Sequence, residues 1–457
     1  MTADLYLKNA KVATDKEVFS GGVIIEGEKI SQIVRGNPSI EAARVIDLNG
    51  KLLMPGVIDG HVHLNEPGRE SWEGYKTGTQ AAAAGGVTTL LDMPLNSTPP
   101  TINRVELTKK RAVAQPQAFV DYAQWGGFVD NNLNSLRELN DDGVIGFKAF
   151  ASGSGVDFER LNDDMIYAGL LKMAELGNVI GLHAENEYVT HYLGAQIQAT
   201  GRIDRAAWYE SRPPFTELET ILRSCFWAKT TGGNLHIVHV SVPDGHRAIA
   251  QAKKEGVHVT SETCPHYLFF DEKDFERIGP AAKCAPPLRS REMVEDLWQC
   301  VADGLVDVIG SDHSPSSWDE KEKGIDNVWK AWGGISGVQS MLPALLTEGV
   351  NKRGIPITDL VRMLTTNPAR LYGLDDQKGA LMPGLDADIV IVDLDEEWKL
   401  TTDQLFYKNK QSAYVGYTFK GKVLQTLVRG KTVYQNGEFK VEPGYGKLLR
   451  RSHPYAY

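Results

Sequence analysis

Val57-Ile58-Asp59-Gly60-His61-Val62-His63 is an apolar run that ends in two histidines one residue apart. Successive side chains of a β-strand alternate faces, so residues i and i+2 point the same way. His61 and His63 therefore aim two imidazoles at one point, and neutral imidazole is a common metal ligand. The run begins at Leu52 and is the first of eight short β-branched runs. The others are Gly86–Met93, Ala118–Gly126, Gly143–Phe150, Val179–Glu185, Leu235–Val240, Val257–Thr263 and Val306–Asp312. Helix-compatible stretches such as Glu217–Lys229 and Ala248–Glu255 lie between them. This alternation predicts βα units, and eight of them suit an α/β fold of the (β/α)8 TIM-barrel type. A doubly wound open sheet is the competing architecture, but no glycine-rich nucleotide fingerprint follows the first strand.

The flanks have a different rhythm. Asp4 to Val12 alternates, Gly21-Gly22 reads as a turn, and Val23 to Ile30 leads into a further strand. Near the other end, Ala387–Asp393 reads as a buried strand, and Lys422–Tyr434 as strand, turn at Arg429-Gly430, and strand. The acidic run Asp393-Leu394-Asp395-Glu396-Glu397 reads as a solvated turn. The economical arrangement is one small β-sandwich domain built from residues 1–53 and 373–457, around a barrel of residues 54–372.

The chain has 457 residues and a formal net charge of −10, which argues against nucleic acid or an anionic membrane as a main partner. Met1-Thr2-Ala3-Asp4-Leu5-Tyr6 carries neither a basic nor an apolar leader region, and no apolar run approaches a bilayer-spanning length. Cys225, Cys264, Cys284 and Cys300 show no CxxC spacing, as expected of reduced thiols in a cytoplasmic protein.

In such a barrel the active site forms at the C-terminal ends of the strands. Several runs end there in ligand-type residues: His61 and His63, His183, His239 and Asp312, while Lys148 sits among apolar neighbours in the fourth. A lone strand-end histidine is usually a hydrogen-bonded structural residue; this many at one end of a barrel point to a hydrolytic metal site of zinc type. His61, His63 and Asp312 could hold one metal, and His183 and His239 a second. Two metals roughly 3.5–4 Å apart usually share a bridging group, and the fourth run offers only Lys148. Addition of carbon dioxide would convert its amine to an anionic carbamate; the alternative is a buried cation paired with an acid.

These residues belong to longer segments. They are Asp59 to Arg69, Trp72-Glu73-Gly74-Tyr75, Gly146-Phe147-Lys148, His183-Ala184-Glu185-Asn186, Ser211-Arg212-Pro213, Glu262 to Tyr267, Ser311 to Pro315 and Lys330 to Ile335. Together they resemble the amidohydrolase superfamily in its cyclic-amidase branch of hydantoinases, dihydroorotases and allantoinases, and the allantoinases most. The resemblance covers essentially the whole chain.

It implies a binuclear site of two divalent ions, zinc first and cobalt, manganese or iron as alternatives, bridged by carboxylated Lys148. It implies hydrolytic opening of the ring of a small molecule, allantoin, to allantoate by a hydroxide generated at the metals. Asp312 would accept the proton and pass it to the leaving nitrogen. Backbone groups near Cys284 and Gly334 would grip the ring. Asn65, Arg69 and Ser314 are further candidate substrate contacts, Arg69 reading equally well as half of a structural ion pair. A homotetramer is the expectation by analogy. Two departures within the branch bear on the substrate. Dihydroorotases carry arginine where Asn65 stands, to pair with a substrate carboxylate. Hydantoinases place a tyrosine shortly after the carboxylated lysine, where this chain has Ala151-Ser152-Gly153-Ser154-Gly155. A hydantoinase or dihydropyrimidinase activity is the main alternative, and a non-catalytic scaffold of the same fold the remote one.

Overall fold

The computed structural model describes residues 3–455; Met1 and Thr2 of the start read above lie outside the described residues, as do Ala456 and Tyr457. Eight parallel strands close into a barrel. In chain order they are Val57–Val62, Val87–Asp92, Asp121–Gln124 continued by Gly126–Gly127, Phe147–Phe150, Val179–His183, Asn234–Ile237, Val259–Thr263 and Val308–Ile309. The third strand is interrupted at Trp125: its first part pairs with Val87–Asp92 and its second with Phe147–Phe150. The barrel closes where Val62 bridges His313 in parallel and His63 N–H donates to His313 O at 2.8 Å.

Helices cover the outside. Arg291–Ala302 shows why: Val294, Leu297, Trp298 and Val301 recur at helical spacing and are buried, while Ser290 caps the start by accepting from Met293 N–H. Each such apolar side chain contributes about 1.5–3 kcal/mol by leaving water. Inside the barrel, fully buried Trp125 fills the layer below the strand ends and donates from its indole to Gly60 O at 3.1 Å. Gly146 and Gly181 make room for it, since a Cβ on either would stand 2.4 or 2.9 Å from the indole. Both glycines lie two residues before a predicted ligand, Lys148 and His183. The tryptophan is therefore a floor beneath those side chains.

The run Leu52–His63 divides at Gly56. Leu52–Pro55 joins a nine-stranded sheet, between Ala3–Ala13 and Ile389–Lys399, and the barrel begins at Val57. That sheet draws on both ends of the chain. It encloses its own apolar core, including Leu7, Val12, Val23, Ile25, Leu53, Ile389 and Leu427.

Two sequence expectations fail here. Gly21-Gly22 is not a turn but lies inside the strand Val18–Glu26. A Cβ at Gly21 would fall 2.2 Å from Val34 O, and one at Gly22 2.3 Å from Leu7 O, so these glycines permit close approach of neighbouring strands. The acidic run is not a turn either; it extends the strand Ile389–Lys399. Asp393 stands opposite Lys422 and Glu397 opposite Lys420, and Lys51 pairs with Asp393, so cross-strand cations support the acidic segment.

The terminal sheet is fastened to the barrel by a buried ion cluster. Lys378 Nζ lies 2.6, 2.9 and 2.8 Å from Asp121, Asp386 and Asp388, and Arg429 also pairs with Asp121. The three carboxylates have the spacing of a cation site, and the lysine ammonium serves as their counter-ion. Among the described residues no helix is long and apolar enough to cross a membrane.

Candidate metal centre

The fold gathers all six predicted ligand residues at one end of the barrel. His61 lies in the first strand and His63 one residue past it; Lys148 is in the fourth and His183 ends the fifth. His239 and Asp312 lie just beyond the sixth and eighth, where the backbone turns left-handed at φ 41° and 43°. Non-glycine residues seldom adopt that conformation, and it recurs at functional sites. All six are buried. Asp312 Oδ1 is 3.3 Å from His61 Nε2 and 3.4 Å from His63 Nε2. Lys148 Nζ is 3.5 Å from His61 Nε2, and His183 Nδ1 is 3.0 Å from His239 Nε2.

The outer atoms of these rings fix which nitrogens face inward. His61 Nδ1 lies 2.7 Å from Glu262 Oε1, and His183 Nε2 lies 2.8 Å from Glu185 Oε2. Each ionised carboxylate accepts a hydrogen bond from the ring N–H facing it, which leaves His61 Nε2 and His183 Nδ1 as bare lone pairs. Bare His61 Nε2 then faces the carboxylate of Asp312, two acceptors with no proton to share. Such an arrangement fits a cation between them.

The electrostatics agree. Burial holds His61, His183 and His239 below the ordinary imidazole range, so they stay neutral. Burial alone would raise Asp312, but the facing imidazoles hold it well below the carboxylate range. Neutral imidazole and ionised carboxylate are the forms that bind metal. Burial also brings Lys148 down to about 8. Among the described residues no carboxylate lies within ion-pair reach of Lys148, and its ammonium sits 4.9 Å from the Phe150 ring centre. The pairing with an acid considered above is absent, and an amine of this kind suits carbamate formation.

Glu262 and Glu185 are not among the sequence candidates, although Glu185 ends the fifth run and Glu262 stands one residue before the end of the seventh. Both are fully buried and held at about 2. Burial would raise each; Arg212 and His183 outweigh it for Glu185, and His61 and His236 for Glu262. Arg212 reaches Glu185 at 2.9 Å. Two further strand-end histidines play other parts: His313 Nδ1 accepts from Gly337 N–H, and His266 packs on Tyr267.

The cavity above the cluster is lined by Leu95, Asn96, Phe150, Gly153, Ser154, Ala285, Ser314, Trp332 and Gly333. Of the candidate substrate contacts, Ser314 is among these lining residues. Cys284 and Gly334 are adjacent to lining residues, and their carbonyls accept from Trp208 Nε1 and Lys321 Nζ. Asn65 is set back, donating to Pro315 O at 3.1 Å. Arg69 is half-buried and donates to Asn96 O, 2.6 Å away; among the described residues it has no ion-pair partner, and it is not a lining residue of the cavity. Trp332 lines the cavity and packs on Trp72, whereas Trp329 packs on Trp208 outside it. No tyrosine is among the lining residues.

Residues 52–433 match the model of the amidohydrolase family. An allantoinase of Deinococcus radiodurans is 43% identical over 451 residues, covering 98% of this chain and 99% of the relative. An allantoinase of Rubrobacter xylanophilus is 45% identical over 416 residues, covering 90% and 91%. Among solved structures, the L-hydantoinase (dihydropyrimidinase) of Arthrobacter aurescens superposes with a TM-score of 0.96 at 38% identity, covering 98% of this chain and all of that one.

Proposed function

Because the chain belongs to the amidohydrolase family and is a cyclic amide hydrolase, we propose that it opens the ring of allantoin by hydrolysis and releases allantoate. The observation that carries the chemistry is the bare Nε2 of His61 facing the ionised carboxylate of Asp312 at 3.3 Å. The substrate reading is supported by the allantoinases that match nearly the full chain. It is supported too by Asn65 in place of an arginine, which suits a ring without a carboxylate, and by a cavity without tyrosine.

In this reading His61, His63 and Asp312 would hold one divalent ion and His183 and His239 a second, with zinc the first candidate metal. Lys148, as a carbamate formed from carbon dioxide, would complete the ligand set. Such ions supply Lewis-acid chemistry: they acidify water and polarise a carbonyl. Asp312 takes the proton of the attacking water and delivers it to the ring nitrogen as the carbon–nitrogen bond breaks, leaving a carboxylate and a ureido group. Glu262 and Glu185 hold the imidazoles in their working tautomers. Ser314 and the backbone beside Cys284 and Gly334 grip the ring, and Trp332 and Phe150 limit water. Assembly is a homotetramer in the cytoplasm, which the four unpaired, buried cysteines suit.

Hydantoin or dihydropyrimidine hydrolysis is the second reading, favoured by the match to the L-hydantoinase. Assay of allantoin, hydantoin, dihydrouracil and dihydroorotate with zinc, cobalt and manganese separates the two. Allantoin should give the highest kcat/KM, and a large preference for hydantoin would reject the assignment.

A further inference from the structure

Two lysines stand behind the outer wall of the cavity without an ion-pair partner among the described residues. Lys283 and Lys321 are each only 3% exposed. Among the described residues neither has a carboxylate within ion-pair reach, and their partners are main-chain carbonyls. Lys283 Nζ donates to Val328 O at 2.8 Å and Ala331 O at 2.7 Å. Lys321 Nζ donates to Trp332 O at 2.9 Å, Gly334 O at 2.5 Å and, more weakly, Lys283 O at 3.4 Å. Four carbonyls of the segment 328–334 thus converge on two ammonium groups.

That segment places Trp332 and Gly333 in the cavity wall. Its far end is fixed by Trp332 Nε1 to Ser314 O at 3.3 Å. The other prong has its own support. Lys283 Nζ sits 4.0 Å from the Trp208 ring centre, and Trp208 Nε1 donates to Cys284 O at 2.8 Å. Burying two like charges without a counter-ion is costly, and burial brings both groups down to about 7. Apolar side chains would fill the same space without that cost but could not hold four carbonyls at fixed heights. An ammonium has three donors and can gather carbonyls from different turns of one loop.

We propose that Lys283 and Lys321 are positioning residues: an ammonium clip that fixes the 328–334 wall and so sets the fit of the ring in the cavity. The proposal rests on the reading of this cavity as the cyclic-amide site. The clip touches no predicted metal ligand, so its loss should weaken ring binding more than turnover.

The test is Lys321→Met in the full-length metal-loaded enzyme, with Lys321→Arg as the conservative control and Lys283→Met as the second prong. In Lys321→Met, KM for allantoin should rise on the order of tenfold, with kcat within about threefold of wild type. Metal content should be unchanged. Deuterium uptake should increase in peptides spanning 326–336 and not in the barrel strands, and arginine should recover part of the KM. Unchanged KM and uptake in Lys321→Met would overturn the clip. So would loss of protection throughout the barrel in both methionine variants, which would assign the lysines to overall stability. Should Lys321→Met alone lose protection throughout, Lys283→Met is judged by the same criteria. A wild-type enzyme inactive on every ring would instead reject the functional reading, and the clip would then stand or fall on deuterium uptake.

Discussion

Nδ1 of His61 lies 2.7 Å from Oε1 of Glu262, and both side chains are fully buried. The same carboxylate oxygen accepts from the backbone N–H of His239 at 3.2 Å. One acidic group therefore steadies residues assigned to both metals. Glu262→Gln should lower metal affinity about 10–100-fold, read by metal content after dialysis against graded chelator. Affinity equal to wild type would remove Glu262 from this role.

Asp312 is placed to move the proton during ring opening. Asp312→Ala should reduce kcat by at least about 10³-fold while the circular dichroism spectrum stays that of the folded protein. Near wild-type turnover in this variant would refute the assignment.

Lys148 is expected to act only after it has taken up carbon dioxide. Apoprotein reloaded with zinc in carbon dioxide-free buffer should recover little activity, and added bicarbonate should restore it. Lys148→Ala should bind less metal and ignore bicarbonate. Full recovery without bicarbonate would eliminate the carbamate.

His246 supplies a pH signature separate from the metal centre. It is buried, its Nδ1 lies 2.9 Å from Ser261 Oγ, and burial lowers it to about 4. Its folded value lies below its ordinary one near 6.5, so the unfolded chain binds the proton more readily. Its stabilising contribution is therefore full above about pH 6.5 and is lost as pH falls towards 4. The loss should be on the order of 2–3 kcal/mol. Denaturant midpoints of wild type and His246→Gln should converge across that window; parallel curves would contradict this.

Lys378 is the counter-ion of three buried aspartates. Lys378→Met should destabilise the protein by about 3–5 kcal/mol, because Asp388 would be left buried without a cation and Asp121 and Asp386 would keep only Arg429 and Lys29. Urea denaturation measures it, and a change below about 1 kcal/mol would mean that Arg429 suffices.

The strand-end ligands were legible because period-two alternation turns neighbouring residues such as His61 and His63 to one face, and because barrel strands converge at one end. The family resemblance added the roles. Glu262 has the same placement but was passed over, since a carboxylate that orients a ring leaves no more mark than any buried acid. Gly21-Gly22 misled because close strand approach and a turn both call for glycine. Asp393 to Glu397 misled because the lysines that neutralise them, Lys51, Lys420 and Lys422, are distant in the chain or on the next strand. Lys283 and Lys321 were invisible for a different reason. Their partners are carbonyl oxygens, which every residue carries.

The pairing of Leu52–Pro55 with Ile389–Lys399 has a consequence for how the molecule is made. Lys51 and Asp393, which meet beside this pairing, are 342 positions apart. A ribosome adding about 5–20 residues each second would deliver the second strand roughly 20–70 s after the first. Throughout that interval the early strand presents an open hydrogen-bonding edge to the crowded cell. The barrel is therefore synthesised inside an unfinished sheet, and the nascent chain is most exposed to mispairing just before its last strands emerge.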